Sequence, residues 1–237
     1  MYSDTELQEL YTTHVKLPPS YFTKYEMVPP CPVRAWDHSW KNYDFPRVWC
    51  ILDFIEWIQK HSIQSIGHLG YTCEVDPELE FITAQQTTLV EYPPHDLHAV
   101  GTTYSSMFDL FLFNQTIEHL YNPFAAIQSI YTTVRPGGYV FTSVPTLNIP
   151  HMTPFHFGGY TPMGLAVMFK TANFEIVEMG QWGNYDYIRR LFDTHGWPGY
   201  DTLQQNGHVT NEERNVAQCW ILARKPIDAS SVPSSPG

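Results

Sequence analysis

Basic residues are scarce in this sequence. Its 237 residues include 13 lysines and arginines against 24 aspartates and glutamates, a formal net charge of −11 at pH 7. A nucleic-acid partner requires clustered Lys and Arg to neutralise its phosphates, whereas the basic residues here are spread along the chain. We therefore predict no nucleic-acid partner and favour small ligands.

Cysteine is also rare. The chain has four cysteines and no Cys-x-x-Cys pair, so neither a disulfide framework nor a cysteine zinc site is predicted. No stretch approaches the roughly 18 apolar residues of a membrane span, and no basic segment followed by an apolar run opens the chain. We expect a soluble, cytoplasmic protein with reduced thiols at Cys31, Cys50, Cys73 and Cys219.

Composition divides the chain into three parts. Residues 1–46 are rich in aromatic residues and proline, which excludes a continuous helix and predicts either a lid over a ligand cleft or a cover for an apolar sheet edge. Residues 47–226 are long enough for one enzyme-sized domain. Residues 227–237 are small, polar and proline-rich, so we expect a disordered tail.

A strand, a helix and a second strand follow one another between Phe108 and Val144. Residues 108–113 are almost continuously apolar, the pattern of a parallel strand buried on both faces. Residues 139–144 are rich in β-branched and aromatic side chains and predict a second, parallel strand. The order predicts an α/β fold with a mostly parallel twisted sheet and helices on both faces.

The intervening helix has recognisable ends. Asn122 fits the N-cap and Pro123 the first helical residue, while Arg135-Pro136-Gly137-Gly138 supplies the stop. The spacing predicts one buried face formed by Phe124, Ile127, Ile130, Tyr131 and Val134.

Two segments carry a resemblance to a known family. "FDLFLFNQTIEHLYNPFAAIQSIYTTVRPGGYVFTSVP" resembles the second half of class I S-adenosylmethionine-dependent methyltransferases, the type-11 group in particular. "PHMTPFHFGGYTPMGLAVMFKTANFEIVEMGQWG" is similar to that family's acceptor-side loop, a helix opened by Thr161-Pro162 and a strand starting at Phe174, with Asn173 in place of the usual glycine. The resemblance implies a Rossmann-like fold ending in an antiparallel strand, here Gln218–Arg224.

The resemblance implies S-adenosylmethionine as methyl donor and S-adenosylhomocysteine as product. Gly67, His68 and Gly70 correspond to the family's glycine turn after its first strand, with Ser65 in place of the usual acidic residue. Glu91 follows the second predicted strand at the spacing from which an acid reaches ribose hydroxyls. The other donor-binding residues implied by the resemblance are Asp96, Leu97, Asn114, Gln115 and Glu118.

Several of these residues have plainer interpretations. The two glycines are common in simple turns. Glu91 also fits a solvated strand end, and Glu118 a local cap or ion pair. Between Glu91 and Phe108 the chain is too short for the customary helix, strand and helix, so the middle of the fold is predicted to be trimmed.

Three histidines lie on segments that the topology brings to one end of the sheet. Methyl transfer to a hydroxyl requires loss of a proton, and imidazole titrates near neutral pH. We predict His119 as the base, and His151 and His156 as acceptor-binding residues or alternative bases; a structural hydrogen-bonding role is the alternative for each. The three could also gather a divalent metal, but no acid pair stands at matching spacing, so none is predicted.

The acceptor is predicted to be small or glycan-borne. Acidity, abundant aromatic residues and resemblance to methyltransferases of glycan-synthesis pathways, including domains from large algal viruses, favour a sugar hydroxyl, for example on a deoxysugar such as rhamnose. Natural-product O- or N-methylation and a non-catalytic binding protein with this fold remain as alternatives. Further aromatic residues predicted to line the cleft are Tyr185, Tyr187, Trp197 and Tyr200.

Overall fold

The computed structural model describes residues 3–15, 46–199, 202–203 and 210–227. Most of the predicted arm and the predicted tail, and with them the lid and the disorder expected there, lie outside the described residues. Within these ranges every helix is too short or too polar to cross a lipid bilayer.

The centre of the fold is a single six-stranded sheet. Its strands are β1 (Ser65–Tyr71), β2 (Thr83–Leu89), β3 (Phe108–Leu112), β4 (Val134–Pro145), β5 (Glu175–Trp182) and β6 (Gln218–Arg224). They lie in the order β2-β1-β3-β4-β6-β5. The first four pair in parallel, and β6 inserts antiparallel between β4 and β5. The predicted fold class is confirmed.

Helices pack on both faces of the sheet. The described α-helices are α1 (Asp4–Leu10), α2 (Arg47–Lys60), α3 (Pro123–Thr133), α4 (Pro162–Thr171) and α5 (Tyr185–Thr194). Because successive side chains of a strand point to opposite faces, Phe111 joins a core with α3 and α4, whereas Leu110 and Leu112 join a second core with α2 and α5.

The predicted strand-helix-strand unit is present with its predicted cap. The Asn122 side chain accepts a hydrogen bond from Ala125 N, and Pro123 is the first helical residue. Ile127 and Ile130 are fully buried as expected, but Phe124 is 48% exposed, so its assignment to the buried face is wrong. It lies in the first turn of the helix, where Pro123 and Ala126 are the buried residues instead.

The middle of the sheet is trimmed, as predicted. Between β2 and β3 the chain forms only the 3₁₀ turn Val100–Thr102, and β2 is left at the sheet edge. A second short 3₁₀ segment, Pro77–Phe81, is all that connects β1 to β2. Neither connection contains a long helix.

The acceptor-side half also follows the sequence pattern. Thr161 caps α4 by accepting from Gly164 N at 3.2 Å. Asn173 has a φ of 68°, in the left-handed region where glycine is most readily accommodated and asparagine is the next best tolerated. This conformation explains how Asn173 replaces glycine in the turn before β5.

Candidate functional site

The site begins where β3 ends and the chain turns polar. Asn114 Oδ1 accepts hydrogen bonds from the backbone N–H and hydroxyl of Ser143 at 3.0 and 3.3 Å. Gln115, with a φ of 49°, donates from its side chain to Ser143 Oγ at 2.9 Å. These contacts tie together the carboxyl ends of β3 and β4, the edge at which α/β proteins bind ligands.

A buried charged cluster lies beneath this edge. Arg47, the first residue of α2, contacts Asp76 Oδ1 at 2.7 Å and Glu78 Oε2 at 2.9 Å, and Asn114 Nδ2 donates to Asp76 Oδ2 at 3.3 Å. Burial raises the pKa of Glu78 although Arg47 opposes the shift. Burial also disfavours the charged form of Arg47, but the two carboxylates more than offset this and raise its pKa.

Glu118 is a fully buried carboxylic acid in the 3₁₀ turn Ile117–His119. Neither of its side-chain oxygens has a hydrogen-bond partner among the described residues. Burial raises its pKa to about 7, against a smaller lowering by a backbone hydrogen bond and by Arg47. A buried carboxylate without a hydrogen-bond partner is costly, so burial favours the protonated form of Glu118.

The three predicted histidines are brought together beside Glu118. Phe157 N donates to Glu118 O at 2.8 Å, which holds the 151–157 loop against the 117–119 turn. The ring centroids of His151 lie 4.9 Å from His119 and 4.6 Å from His156. Burial lowers the pKa of His119 and of His156, which favours neutral rings.

A cleft of about 330 Å³ opens next to the histidines, within the range of small-molecule sites. Among the three histidines His151 lines it, whereas His119 and His156 are not among its lining residues. The other lining residues are Pro46, Arg47, Gln115, Pro145, Leu147, Asn148, Tyr187, Trp197, Ala217 and Gln218. Tyr187 and Trp197 therefore reach the cleft as predicted; Tyr200 lies outside the described residues.

The rim of the cleft carries exposed apolar side chains. Trp197 is 53% exposed, and its Nε1 donates to Asn148 Oδ1 at 3.0 Å. Met152, Phe155 and Phe157, all from the loop with the histidines, are more than half exposed. Polar groups inside and apolar groups at the rim suit a ligand with both kinds of surface.

The predicted glycine turn is not a turn. Gly67, His68 and Gly70 lie inside β1, which continues to Tyr71. His68 N donates to Asp109 Oδ2 at 2.7 Å, and a Cβ on Gly67 would come within 2.8 Å of the same oxygen. The sequence suggested a strand followed by a turn because glycine is rare within strands. In the structure, the lack of a side chain at Gly67 leaves room for the carboxylate of Asp109 from the neighbouring strand. The loop that follows β1, Thr72–Asp76, contains no glycine.

The other donor-side residues are divided between the sheet edge and the core. Val90 N donates to Tyr71 O at 2.8 Å, so the exposed Glu91 follows at the same edge as the end of β1. Asp96 instead caps its own turn, accepting from His98 N at 2.9 Å, and Leu97 is buried in the core. Glu91, Asn114, Gln115 and Glu118 thus share one edge, which Gly67 and Leu97 do not reach.

Sequence reasoning missed the residues that reach the site from distant segments. Arg47 pairs with acids 29 and 31 residues away, and no local pattern links them. Gln218 enters from the final strand and donates to Cys50 Sγ at 3.6 Å. The only usable signal was an arginine at the first position of a helix, where positive charge is disfavoured by the helix dipole and calls for a partner.

Residues 62–142 match a family model described as a methyltransferase domain. The match runs from the turn before β1 into β4 and covers the parallel part of the sheet. Residues 62–142 therefore carry the similarity to a methyltransferase domain, and S-adenosylmethionine is the methyl donor that this similarity supports.

Several solved structures are similar to this chain at low sequence identity. The [4+2]-cyclase SpnF is 14% identical with a TM-score of 0.48, covering 81% of this chain and 86% of its own. An S-adenosylmethionine-dependent methyltransferase from Archaeoglobus fulgidus is 11% identical with a TM-score of 0.46, covering 74% and 94%. Phosphoethanolamine N-methyltransferase 2 from Haemonchus contortus is 13% identical with a TM-score of 0.43, covering 80% and 60%. No curated protein matches the chain, and none of these similarities indicates a substrate.

Proposed function

We propose that this methyltransferase acts on a hydroxyl oxygen of a small or glycan-borne acceptor. The observation that carries the proposal is His151, which lines the cleft and has the imidazoles of His119 and His156 beside it. An amine that is neutral can attack a sulfonium methyl without help, whereas an alcohol must lose a proton. An imidazole in the wall of the cleft meets that need.

The residues at the sheet edge fit a positively charged donor. S-adenosylmethionine supplies an electrophilic methyl group on a sulfonium centre. Asp76 and Glu78 are two buried acids that share the single guanidinium of Arg47, and this excess of acidic over basic groups favours a cation nearby. Glu91, exposed at the same edge, is the residue proposed to hold the ribose hydroxyls. Asn114 and Gln115 complete the proposed donor side.

The proton of the acceptor is proposed to leave to the imidazole cluster. His151 lines the cleft, so we assign it the role of base that the sequence favoured for His119, which is not among the lining residues. The acceptor oxygen then forms a bond to the methyl carbon while the carbon–sulfur bond breaks. The electron pair of that bond stays on sulfur, and S-adenosylhomocysteine leaves as a neutral thioether.

The lining of the cleft supports a sugar-like acceptor. Gln115, Asn148 and Gln218 offer amide groups, which pair with hydroxyls, and Trp197 and Tyr187 offer flat apolar faces. A deoxysugar such as rhamnose combines hydroxyls with a methyl group and matches both surfaces. The acidic chain also favours a neutral acceptor over a phosphorylated one.

The test separates donor binding from transfer. Calorimetric titration with S-adenosylmethionine and S-adenosylhomocysteine measures the donor site; methyl-labelled donor is then offered with rhamnosides, phenols and amines. We expect transfer to rhamnoside hydroxyls. Binding with transfer only to amines or phenols would overturn the sugar assignment, and absence of donor binding would overturn methyl transfer altogether.

Two histidine variants serve as a matched pair in the same assay. His151→Asn is expected to lower kcat by about 10²-fold or more with little change in donor affinity, because it removes proton transfer rather than binding. His61→Asn removes a histidine that pairs with Glu178 at 2.8 Å and is not part of the cleft, and should leave kcat unchanged.

A further inference from the structure

The three histidines are close enough to share one ligand. Each of His119, His151 and His156 offers a ring nitrogen, and these three atoms all lie within 4.8 Å of one another. They come from two segments separated by more than thirty residues, and the hydrogen bond from Phe157 N to Glu118 O holds those segments together. The backbone therefore fixes the spacing of the imidazoles before any ligand binds.

Two of the rings are oriented by backbone carbonyls. His119 Nδ1 lies 2.7 Å from Phe155 O, and His151 Nδ1 lies 3.0 Å from Ile149 O. A carbonyl oxygen only accepts, so each Nδ1 carries the hydrogen and donates it. Each Nε2 is then left with a free lone pair, the arrangement that metal-binding histidines commonly show.

The third ring has an unused polar atom. His156 Nδ1 is buried without a hydrogen-bond partner among the described residues. Buried polar groups are almost always paired, so an orphaned ring nitrogen beside two others points to a ligand that binds nitrogen lone pairs.

We propose that His119, His151 and His156 bind a divalent transition-metal ion, with zinc the preferred occupant. Imidazole nitrogen suits zinc, and three histidines plus one open position are a ligand set that catalytic zinc sites use. Zinc–nitrogen bonds of about 2.0–2.1 Å in a tetrahedron place the nitrogens about 3.4 Å apart. Because the ring nitrogens lie within 4.8 Å of one another, each pair would have to approach by no more than about 1.4 Å to reach this spacing.

Glu118 supplies the charge that a cation needs nearby. Its Oε1 lies 3.9 Å from His119 Nε2, and both of its oxygens are buried without a partner. A bound dication compensates this acid without any change in the fold. Glu118 is too far from the other two rings to be counted among the ligands, so it acts next to the ion rather than on it.

A metal ion at this site would also take part in the proposed methyl transfer. This catalytic role of the ion rests on the proposed function. His151 forms part of the cleft wall, so an ion on its ring lies next to the cleft and can accept an acceptor oxygen in its open position. A metal ion lowers the pKa of a bound hydroxyl. It would therefore replace the free imidazole as the group that promotes loss of the acceptor proton, and the proton would pass to solvent water in the cleft.

Metal binding is tested without donor or acceptor. The full chain, free of any histidine tag and stripped with chelator, is titrated with Zn²⁺ by calorimetry and with Co²⁺ by visible absorption. We expect one ion per chain and a tetrahedral Co²⁺ spectrum. His156→Gln and His119→Gln should each weaken Zn²⁺ binding at least tenfold, while His61→Gln should not. No binding, or binding that the variants leave unchanged, would overturn the site.

Separate measurements distinguish this proposal from methyl transfer itself. Circular dichroism and S-adenosylhomocysteine affinity of His156→Gln are expected to match those of the wild type, which shows that the fold and donor site persist. If an acceptor is methylated, chelator should reduce the rate at least tenfold and Zn²⁺ should restore it; undiminished turnover would overturn the catalytic role. Zinc binding with no methyl transfer to any acceptor would refute the proposed function and leave the metal site standing.

Discussion

The carboxylate of Glu118 lies 3.9 Å from Nε2 of His119, and neither of its oxygens accepts a hydrogen bond within the described chain. Its neighbours are His119, Tyr160 and the more distant Arg47. The pKa of Tyr160 is raised mainly by burial and also by the nearby Glu118. The environment thus favours the neutral acid. This single group makes the stability of the fold depend on pH.

We predict that Glu118→Gln is more stable than the wild type at pH 8 but not at pH 4.5, in metal-free protein. The folded-state pKa is about 7 against an ordinary 4.5, so the stabilisation from the protonated acid is full below pH 4.5 and is lost as the pH rises through 7. The difference amounts to about 3 kcal/mol. Urea unfolding of both proteins at several pH values measures it; parallel pH profiles would show that Glu118 is not the titrating group.

Gly70→Ala should destabilise the fold. A Cβ at this position would lie 2.5 Å from Phe111 Cδ2 and 3.0 Å from Phe108 Cδ1, and overpacking of a core costs about 1–3 kcal/mol. Gly196→Ala is the control, since its Cβ would meet nothing closer than 3.8 Å. Thermal melts compare the two. If Gly70→Ala instead kept its melting temperature and lost donor affinity, the glycine would belong to the donor site after all.

Glu91→Gln is predicted to weaken S-adenosylhomocysteine binding about tenfold, equivalent to about 1.4 kcal/mol. The amide keeps the shape of the side chain but gives up the charge that strengthens hydrogen bonds to ribose hydroxyls. Glu9→Gln, on the exposed surface of α1, removes the same charge elsewhere and should have no effect. Calorimetry on both variants decides the matter, and equal affinities would remove Glu91 from the ribose role.

Arg47→Met should cost about 3–5 kcal/mol of stability, because it leaves the buried carboxylates of Asp76 and Glu78 without their cation. Arg189 also pairs with two acids, Asp186 and Asp193, but its side chain is 44% exposed. Arg189→Met is therefore expected to leave the stability almost unchanged, because ion pairs in solvent contribute little. The urea midpoints of unfolding of the two variants test this contrast. A similar loss of stability in both variants would contradict it.

Local signals predicted most of the fold. The cap at Asn122, the proline after it and the Thr161-Pro162 start of α4 depend on residues within a few positions of one another, and all three are present. The exposed Phe124 and the strand glycines were misjudged because their surroundings are set by other elements. The periodicity of a helix does not reveal how far a sheet extends beneath it.

The candidate site was predictable in its residue types but not in its assembly. His119, His151 and His156 were each identified from their place after a strand, yet their mutual distance depends on how the 151–157 loop folds back onto the 117–119 turn. No metal was predicted because no acid pair stands at metal-binding spacing, an argument that also considers only positions along the chain. Spacing along the chain says little about three side chains that meet across a loop.

The position of β6 determines when the sheet can be completed during synthesis. It is the last of the described strands to leave the ribosome, yet it lies between β4 and β5 and pairs with both. A nascent chain that ends before Gln218 has a bare edge on β4 and a β5 segment without its sheet neighbour. Unpaired edges of this kind readily pair with other chains, so the unfinished protein needs protection until its final strand is made.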